Sequence, residues 1–304
     1  MSALAAADAA PQIIASASAP IRTPAAPLQF LTSDIFSSSG KLSFSQMRFT
    51  KAIVRLPGEN FSQGLTMSGS PSGPDFRKAL EQHAAYCRAL SACGVEVIVM
   101  IADDKYPDGT FVEDTFVIAE RVAIATRPGA KTRAGEVESV AKAVRLCRPR
   151  LEQIEAPGTV DGGDICQVDD HFLIGVSART NGAGAAQLAA ILARYQYTSS
   201  MIDIRKHPSL LHLKSGIAYL GEQRFLIAPG FPPTDALARC DLIEVDADEM
   251  YAANAVQVND EVFIASGFPA LARRLDKLKY RLRALDMSEF AKMDGGLSCL
   301  SLRF

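Results

Sequence analysis

From Lys51 onward the chain repeats one local pattern, and that repeat constrains the fold more than any single motif. A polar start leads into a short apolar strand, a turn of two or three polar residues, a second strand, a helical stretch and a third extended piece. Asp108 opens "DGTFVEDTFVIA", which turns at Glu120-Arg121 into "VAIATR" and a helix from about Thr132 to Val144. Asp161 opens "DGGDICQV", turns at Asp169-Asp170 into "HFLIGV" and leads to a helix around Gly184 to Tyr195. His212 opens "HLKSGIAYL", followed by "RFLIAP" and a short helix near Thr234. Asn254 opens "NAVQV", followed by "VFIAS" and the basic helix "ALARRLDKLKYRLRAL". Successive starts lie roughly 40 to 50 residues apart, the spacing of radial or stacked repeats.

A fifth start at Asp294 supplies one strand only, and the missing pieces stand at the front: Ala52 to Leu56, a helix near Asp75 to Cys93, and "VEVIVM". Joining both ends in one unit closes a ring of five, which removes free sheet edges and gathers the unit starts at one axis. The competing arrangement, a doubly wound parallel sheet, wants a glycine-rich nucleotide loop, and neither GxGxxG nor GxxxxGK[ST] occurs. Short polar hairpin turns favour the ring as well.

Composition narrows the classes. Of 304 residues, 48% are apolar and 22% charged, enough for a large core, and a net charge of -2 without a dense basic run offers no footprint for nucleic acid. No apolar run approaches the ~20 residues that span a bilayer. Residues 1–48 are dominated by Ala, Ser and Pro and read as a disordered tail ahead of a single catalytic domain over 49–304. Asp8 and Pro11 interrupt any signal-like stretch, and arginine is scarce for a transit peptide, so a cytoplasmic protein is expected, with organellar targeting the lesser alternative. Six cysteines without CxxC or metal-type spacing fit a reducing compartment.

The unit starts carry the chemistry: Asp108, Glu113 and Asp114; Asp161 and Asp164; His212; Asp294 with Cys299, which reads as part of a strand. A lone cysteine is ordinarily core, and His83, His171 and His207 lie outside the unit starts. A thiol, an imidazole and several carboxylates at equivalent places describe a nucleophile with an acid/base partner. The surplus of acceptors suits a planar cation, because paired carboxylates match a guanidinium. Arg133 and Arg179 follow the second strands of their units and suit a substrate carboxylate. Hard-cation binding by the acids ranks lower, since DGGD lacks a calcium-loop pattern.

Taken together in order, "PDGTFVEDT", "TRPGAKTR", "DGGD", "SARTN", "HLKS" and "MDGGLSC" resemble dimethylarginine dimethylaminohydrolase, of the guanidino-modifying superfamily, over roughly Lys51 to Phe304. The resemblance implies a five-bladed α/β propeller with pseudo-fivefold ββαβ repeats. It implies that Cys299 attacks the guanidinium carbon of an N-methylated arginine, that His212 protonates the departing amine and activates water, and that Asp161 orients His212. Asp108 and Asp114, with Glu113 beside them, match positions that grip the guanidinium; Asp294 matches a position near the amino-acid end, Arg133 and Arg179 the carboxylate-binding arginines, and Phe61 a leucine on a lid loop. No cofactor or metal is called for, and the partner is a small guanidine amino acid bound by a monomer or homodimer. Arginine deiminases read His-Leu-Asp where this chain has His212-Leu213-Lys214. Other guanidine-modifying chemistry, such as deimination or amidino transfer, and a silent arginine-binding protein are the alternatives.

Overall fold

The computed structural model describes residues 48–67 and 73–304. The expectations for the tail and its targeting fall, Arg48 apart, outside the described residues. Five three-stranded sheets follow one another along the chain. The first blade has β1 (Lys51–Arg55), α1 (Phe76–Ala92) and β2 (Glu96–Met100). The second has β3 (Phe116–Ile118), β4 (Ala123–Ala125), α2 (Glu136–Cys147) and β5 (Leu151–Gln153). The third has β6 (Ile165–Val168), β7 (His171–Val176), α3 (Gly182–Arg194) and β8 (Thr198–Asp203). The fourth has β9 (Ile217–Tyr219), β10 (Arg224–Ile227) and β11 (Asp241–Glu244). The fifth has β12 (Val256–Val258), β13 (Glu261–Ala265), α4 (Pro269–Lys277) and β14 (Leu282–Leu285). After α5 (Ser288–Ala291), β15 (Leu302–Arg303) returns to the first sheet.

Every sheet obeys one rule: the central strand pairs antiparallel with one neighbour through a hairpin-like register and parallel with the other across a connecting segment. In the first blade the two chain ends fill these roles, with β15 antiparallel to β1 (Ile53 opposite Leu302) and β2 parallel to it. The expected closure of the ring is therefore what the molecule does. The helices follow from ordinary local signals. Asp75 caps α1 by accepting the Lys78 N–H at 3.0 Å, Asn181 caps α3 by accepting the Gly184 N–H at 2.7 Å, and Pro269 opens α4. On α1, Ala79, His83, Tyr86 and Leu90 recur at helical spacing and are fully buried, and full burial of a side chain as large as Leu90 is worth ~1.5–3 kcal/mol.

Three expected elements differ. The segment near Thr234 is a 3-10 turn, Asp235–Leu237, too short for a helical period to form. The basic stretch from Ala270 is helical only to Lys277, after which Leu282–Leu285 extends beside β13. Cys299 lies on a 3-10 turn, Ser298–Leu300, ahead of the strand rather than in it. Among the described residues no helix is long and apolar enough to cross a membrane.

Candidate active site

Glu113, Asp114, Asp164 and Cys299 sit on 3-10 turns ahead of strands, Val112–Thr115, Gly162–Asp164 and Ser298–Leu300, Asp161 and His212 precede the turns Gly162–Asp164 and Leu213–Ser215, and Asn254 ends the turn Ala247–Ala253 in the fifth blade. Hydrogen bonds run from turn to turn and close on themselves. The Gly163 N–H donates to Asp114 Oδ1 (2.9 Å) and the Leu213 N–H to Asp164 Oδ1 (2.9 Å). Asn254 Nδ2 donates to the Lys214 carbonyl (2.8 Å), the Ser298 N–H to Asn254 Oδ1 (3.1 Å), and Ser298 Oγ to Glu113 Oε2 (2.8 Å). The turns approach so closely that two positions admit no side chain. A Cβ on Gly163 would lie 2.8 Å from the His212 ring, and one on Gly296 would lie 2.4 Å from Asn254 Oδ1.

Within this ring the imidazole of His212 is buried, with Nε2 3.0 Å from Asp161 Oδ2 and 3.9 Å from Asp114 Oδ1. Asp161 is itself fixed, because its Oδ1 accepts the Gly129 N–H at 2.7 Å. Burial pulls the imidazole pKa down, but the anions of Asp114, Asp161 and Asp164 outweigh it and raise the group to about 9. Asp114 responds in the opposite sense: burial favours its neutral form, yet His212, Arg133 and the Gly163 N–H hold it down at about 2. The Cys299 thiol is pushed up to about 12 by burial and by the fields of Glu113 and Asp114, against the Gly296 N–H at 3.4 Å and the Lys214 ammonium. Asp114 thus acts on thiol and imidazole alike. Both shifts favour the protonated forms, a neutral thiol and an imidazolium among carboxylates.

The remaining expected residues divide by their partners. Glu113 is buried and taken up by Lys214 Nζ at 2.6 Å, Ser298 Oγ and Arg303 Nη2 at 3.3 Å, so it braces the turns. Arg133 is also committed: Nε and Nη2 bind Glu136, Nη1 binds Asp114 at 2.5 Å, and Nη2 reaches the carbonyls of Asp108 and Phe111. With every guanidinium nitrogen engaged and the residue buried, it has no free face for a ligand carboxylate in this arrangement. Arg179 is half-buried, lies within electrostatic reach of Asp108, and makes no side-chain hydrogen bond among the described residues.

Asp108 accepts the Leu65 N–H with both oxygens, at 3.0 and 3.2 Å, and Asp294 accepts the Met67 N–H. Both acids therefore hold the loop 58–67, and Asp108 stands at that end of the site instead of beside the imidazole. Burial raises the Asp108 pKa, opposed by Arg133, the Leu65 N–H and Arg179. Phe61 corrects the lid expectation. Its ring is buried against Phe111 and Phe290, with centroids 5.9 and 5.4 Å away, while Leu65 and Met67 are exposed apolar side chains of that loop. Asp114, Asp161 and His212 also present ligand atoms within 4.8 Å of one another, a spacing that a divalent cation can use, although Arg133 and two backbone N–H groups already occupy the carboxylates.

Sequence reasoning passed over Glu136, Lys214, Asn254 and Ser298. Asn254 and Lys214 carried a signal, since each stands at or just after a unit start; Glu136 carried none beyond its i, i+3 spacing from Arg133.

A five-bladed α/β ring that collects a cysteine, a histidine and carboxylates on its central turns defines the guanidino-group-modifying superfamily. The arginine deiminase family model matches residues 148–272. The N-terminal domain of ArgZ, a cyanobacterial arginine dihydrolase, superposes with a TM-score of 0.76 at 17% identity over 83% of this chain and 96% of that one, a likeness of fold. The N(G),N(G)-dimethylarginine dimethylaminohydrolase of Pseudomonas aeruginosa is 44% identical over 84% of this chain and 100% of its own length, and that of Streptomyces coelicolor is 32% identical over 83% and 96%. A cysteine-to-serine mutant of the Pseudomonas enzyme complexed with citrulline superposes with a TM-score of 0.82 at 43% identity, covering 85% of this chain and 100% of that one. The chain belongs to the dimethylarginine dimethylaminohydrolase family.

Proposed function

We propose that this protein hydrolyses N-methylated arginine to citrulline and methylamine or dimethylamine through a covalent intermediate on Cys299. The observation that carries the reading is the buried imidazole of His212, held between Asp161 and Asp114, with the Cys299 thiol in the field of the same Asp114. Asp114 receives the guanidinium, whose positive charge lowers the cost of ionising the thiol, and the thiol proton leaves to solvent. The thiolate attacks the guanidinium carbon. His212 gives its proton to the methylated nitrogen as that C–N bond breaks, which leaves an S-alkylthiouronium on Cys299. The neutral imidazole then takes a proton from water as the hydroxide adds to the same carbon, and C–S cleavage expels the thiolate as the new hydroxyl gives its proton to solvent, which leaves citrulline.

At the other end of the substrate, Arg179 meets the α-carboxylate, and Asp108 and Asp294 meet the ammonium beneath the loop 58–67. The chemistry needs no cofactor. Lys214 favours this reading over deimination, since it places a cation paired to Glu113 where a deiminase has a carboxylate. Citrulline and amine release measured side by side on dimethylarginine, monomethylarginine and arginine tests it. Turnover of the methylated substrates is expected, and activity confined to arginine would overturn it.

A further inference from the structure

Asp164 is the last acid of DGGD. It is fully buried, and burial raises its pKa against the pull of His212, Ser177, Thr180 and the Leu213 N–H. Three connections lead from it. Its Oδ1 accepts the Leu213 N–H at 2.9 Å, which fixes the turn that His212 begins. Its Oδ2 accepts the Ser177 hydroxyl at 2.6 Å, and the same Ser177 Oγ accepts the backbone N–H groups of Arg179 (2.9 Å) and Thr180 (3.0 Å). The Thr180 side chain also pulls the Asp164 pKa down, and its Oγ1 accepts the Asp161 N–H at 3.1 Å.

We infer that Asp164 is a positioning residue that sets the acid–imidazole pair and the carboxylate-binding arginine in one frame, with Thr180 carrying its hold to Asp161 and Ser177 carrying its hold to Arg179. The inference rests on the proposed roles of His212, Asp161 and Arg179. The arms differ in their last link, since Thr180 Oγ1 meets the Asp161 N–H and Ser177 Oγ meets the Arg179 N–H. An ionised carboxylate can accept all the donors at once, whereas the amide of an asparagine would turn a donor toward Ser177 Oγ, whose lone pairs are already taken by two N–H groups. Gly175 keeps the space open, since a Cβ there would lie 2.8 Å from Leu213 Cβ and 3.1 Å from Asp164 Oδ1.

The test uses Ser177→Ala and Thr180→Val, which change no charge, beside Asp164→Asn. Ser177→Ala is expected to raise KM for dimethylarginine about tenfold, the effect of one lost hydrogen bond, and to lower kcat less than Thr180→Val does, because Ser177 Oγ also accepts the Thr180 N–H. The same variant should leave KM unchanged for decarboxylated dimethylarginine, which has no carboxylate for Arg179. Thr180→Val is expected to lower kcat, keep KM and move the His212 titration seen by NMR; Asp164→Asn should combine both sets of changes. Folded Ser177→Ala and Thr180→Val proteins with identical kinetic changes, or a Thr180→Val protein whose His212 titrates as in the parent, would overturn the inference. A parent that turns over no methylarginine instead sinks the proposed function, while the His212 titration still decides the role of Asp164.

Discussion

Replacing Asp161 by Asn tests how the imidazole is held. In the parent, Asp161 Oδ1 accepts the Gly129 N–H at 2.7 Å and Oδ2 faces His212 Nε2 at 3.0 Å. Gly129 can only donate, so the asparagine keeps its carbonyl there and turns its NH2 toward Nε2. That amide tolerates only an imidazole with a lone pair on Nε2, the neutral ring with its proton on the wrong nitrogen. A hydrogen bond to a charged group contributes ~1.5–3 kcal/mol. At about 1.4 kcal/mol per pKa unit, its loss alone lowers the His212 titration by about one to two units from about 9. Loss of the correctly protonated acid should reduce kcat by about 10²–10⁴-fold, the usual contribution of a positioned acid or base. NMR titration of the ring and citrulline release at neutral pH measure both effects. An unmoved titration, or kcat within a few-fold of the parent, would refute the reasoning.

Other consequences follow from the same contacts. Gly163→Ala puts a Cβ 2.8 Å from the His212 ring and 2.9 Å from Asp114 Oδ1, so kcat should collapse in a protein that still unfolds cooperatively; parental kcat contradicts the packing. His212 has a folded-state pKa raised to about 9, above the unfolded value of about 6.5. Its stabilising contribution is therefore full below about pH 6.5 and lost as pH rises through about 9. Urea midpoints should fall over that window and flatten in His212→Gln, whereas parallel curves for both proteins would contradict this sign. The resting thiol of Cys299, pushed up to about 12, should be alkylated at pH 8 far more slowly than free cysteine when followed by mass spectrometry of its peptide; labelling as fast as free cysteine would show a resting thiolate.

The ring was legible in the chain because strand–turn–strand segments recur with apolar character, and because the pieces missing after Asp294 stand near Lys51. The identity of the ring-facing acids, the histidine and the cysteine was legible for the same reason. Their division of labour was not. Glu113 is neutralised by Lys214 and Arg303, 101 and 190 positions away, and no local pattern shows such pairs. Arg133 reads as a free cation until Glu136 is seen to grip it from the next turn of chain. Cys299 reads as strand because a three-residue 3-10 turn has no period of its own to detect. The resemblance puts Phe61 at a lid leucine, yet the apolar surface of Phe111 and Phe290 draws its ring inward and leaves Leu65 and Met67 outside.

The account stands on a carbon–sulfur bond forming at Cys299. Acid quenching during turnover of dimethylarginine, followed by mass spectrometry of the peptide that contains Cys299, measures it directly. The account predicts an adduct of the substrate less its amine on that cysteine, and neither adduct nor turnover in Cys299→Ser. Citrulline formation by Cys299→Ser, or parental turnover with the adduct on another residue, would contradict it.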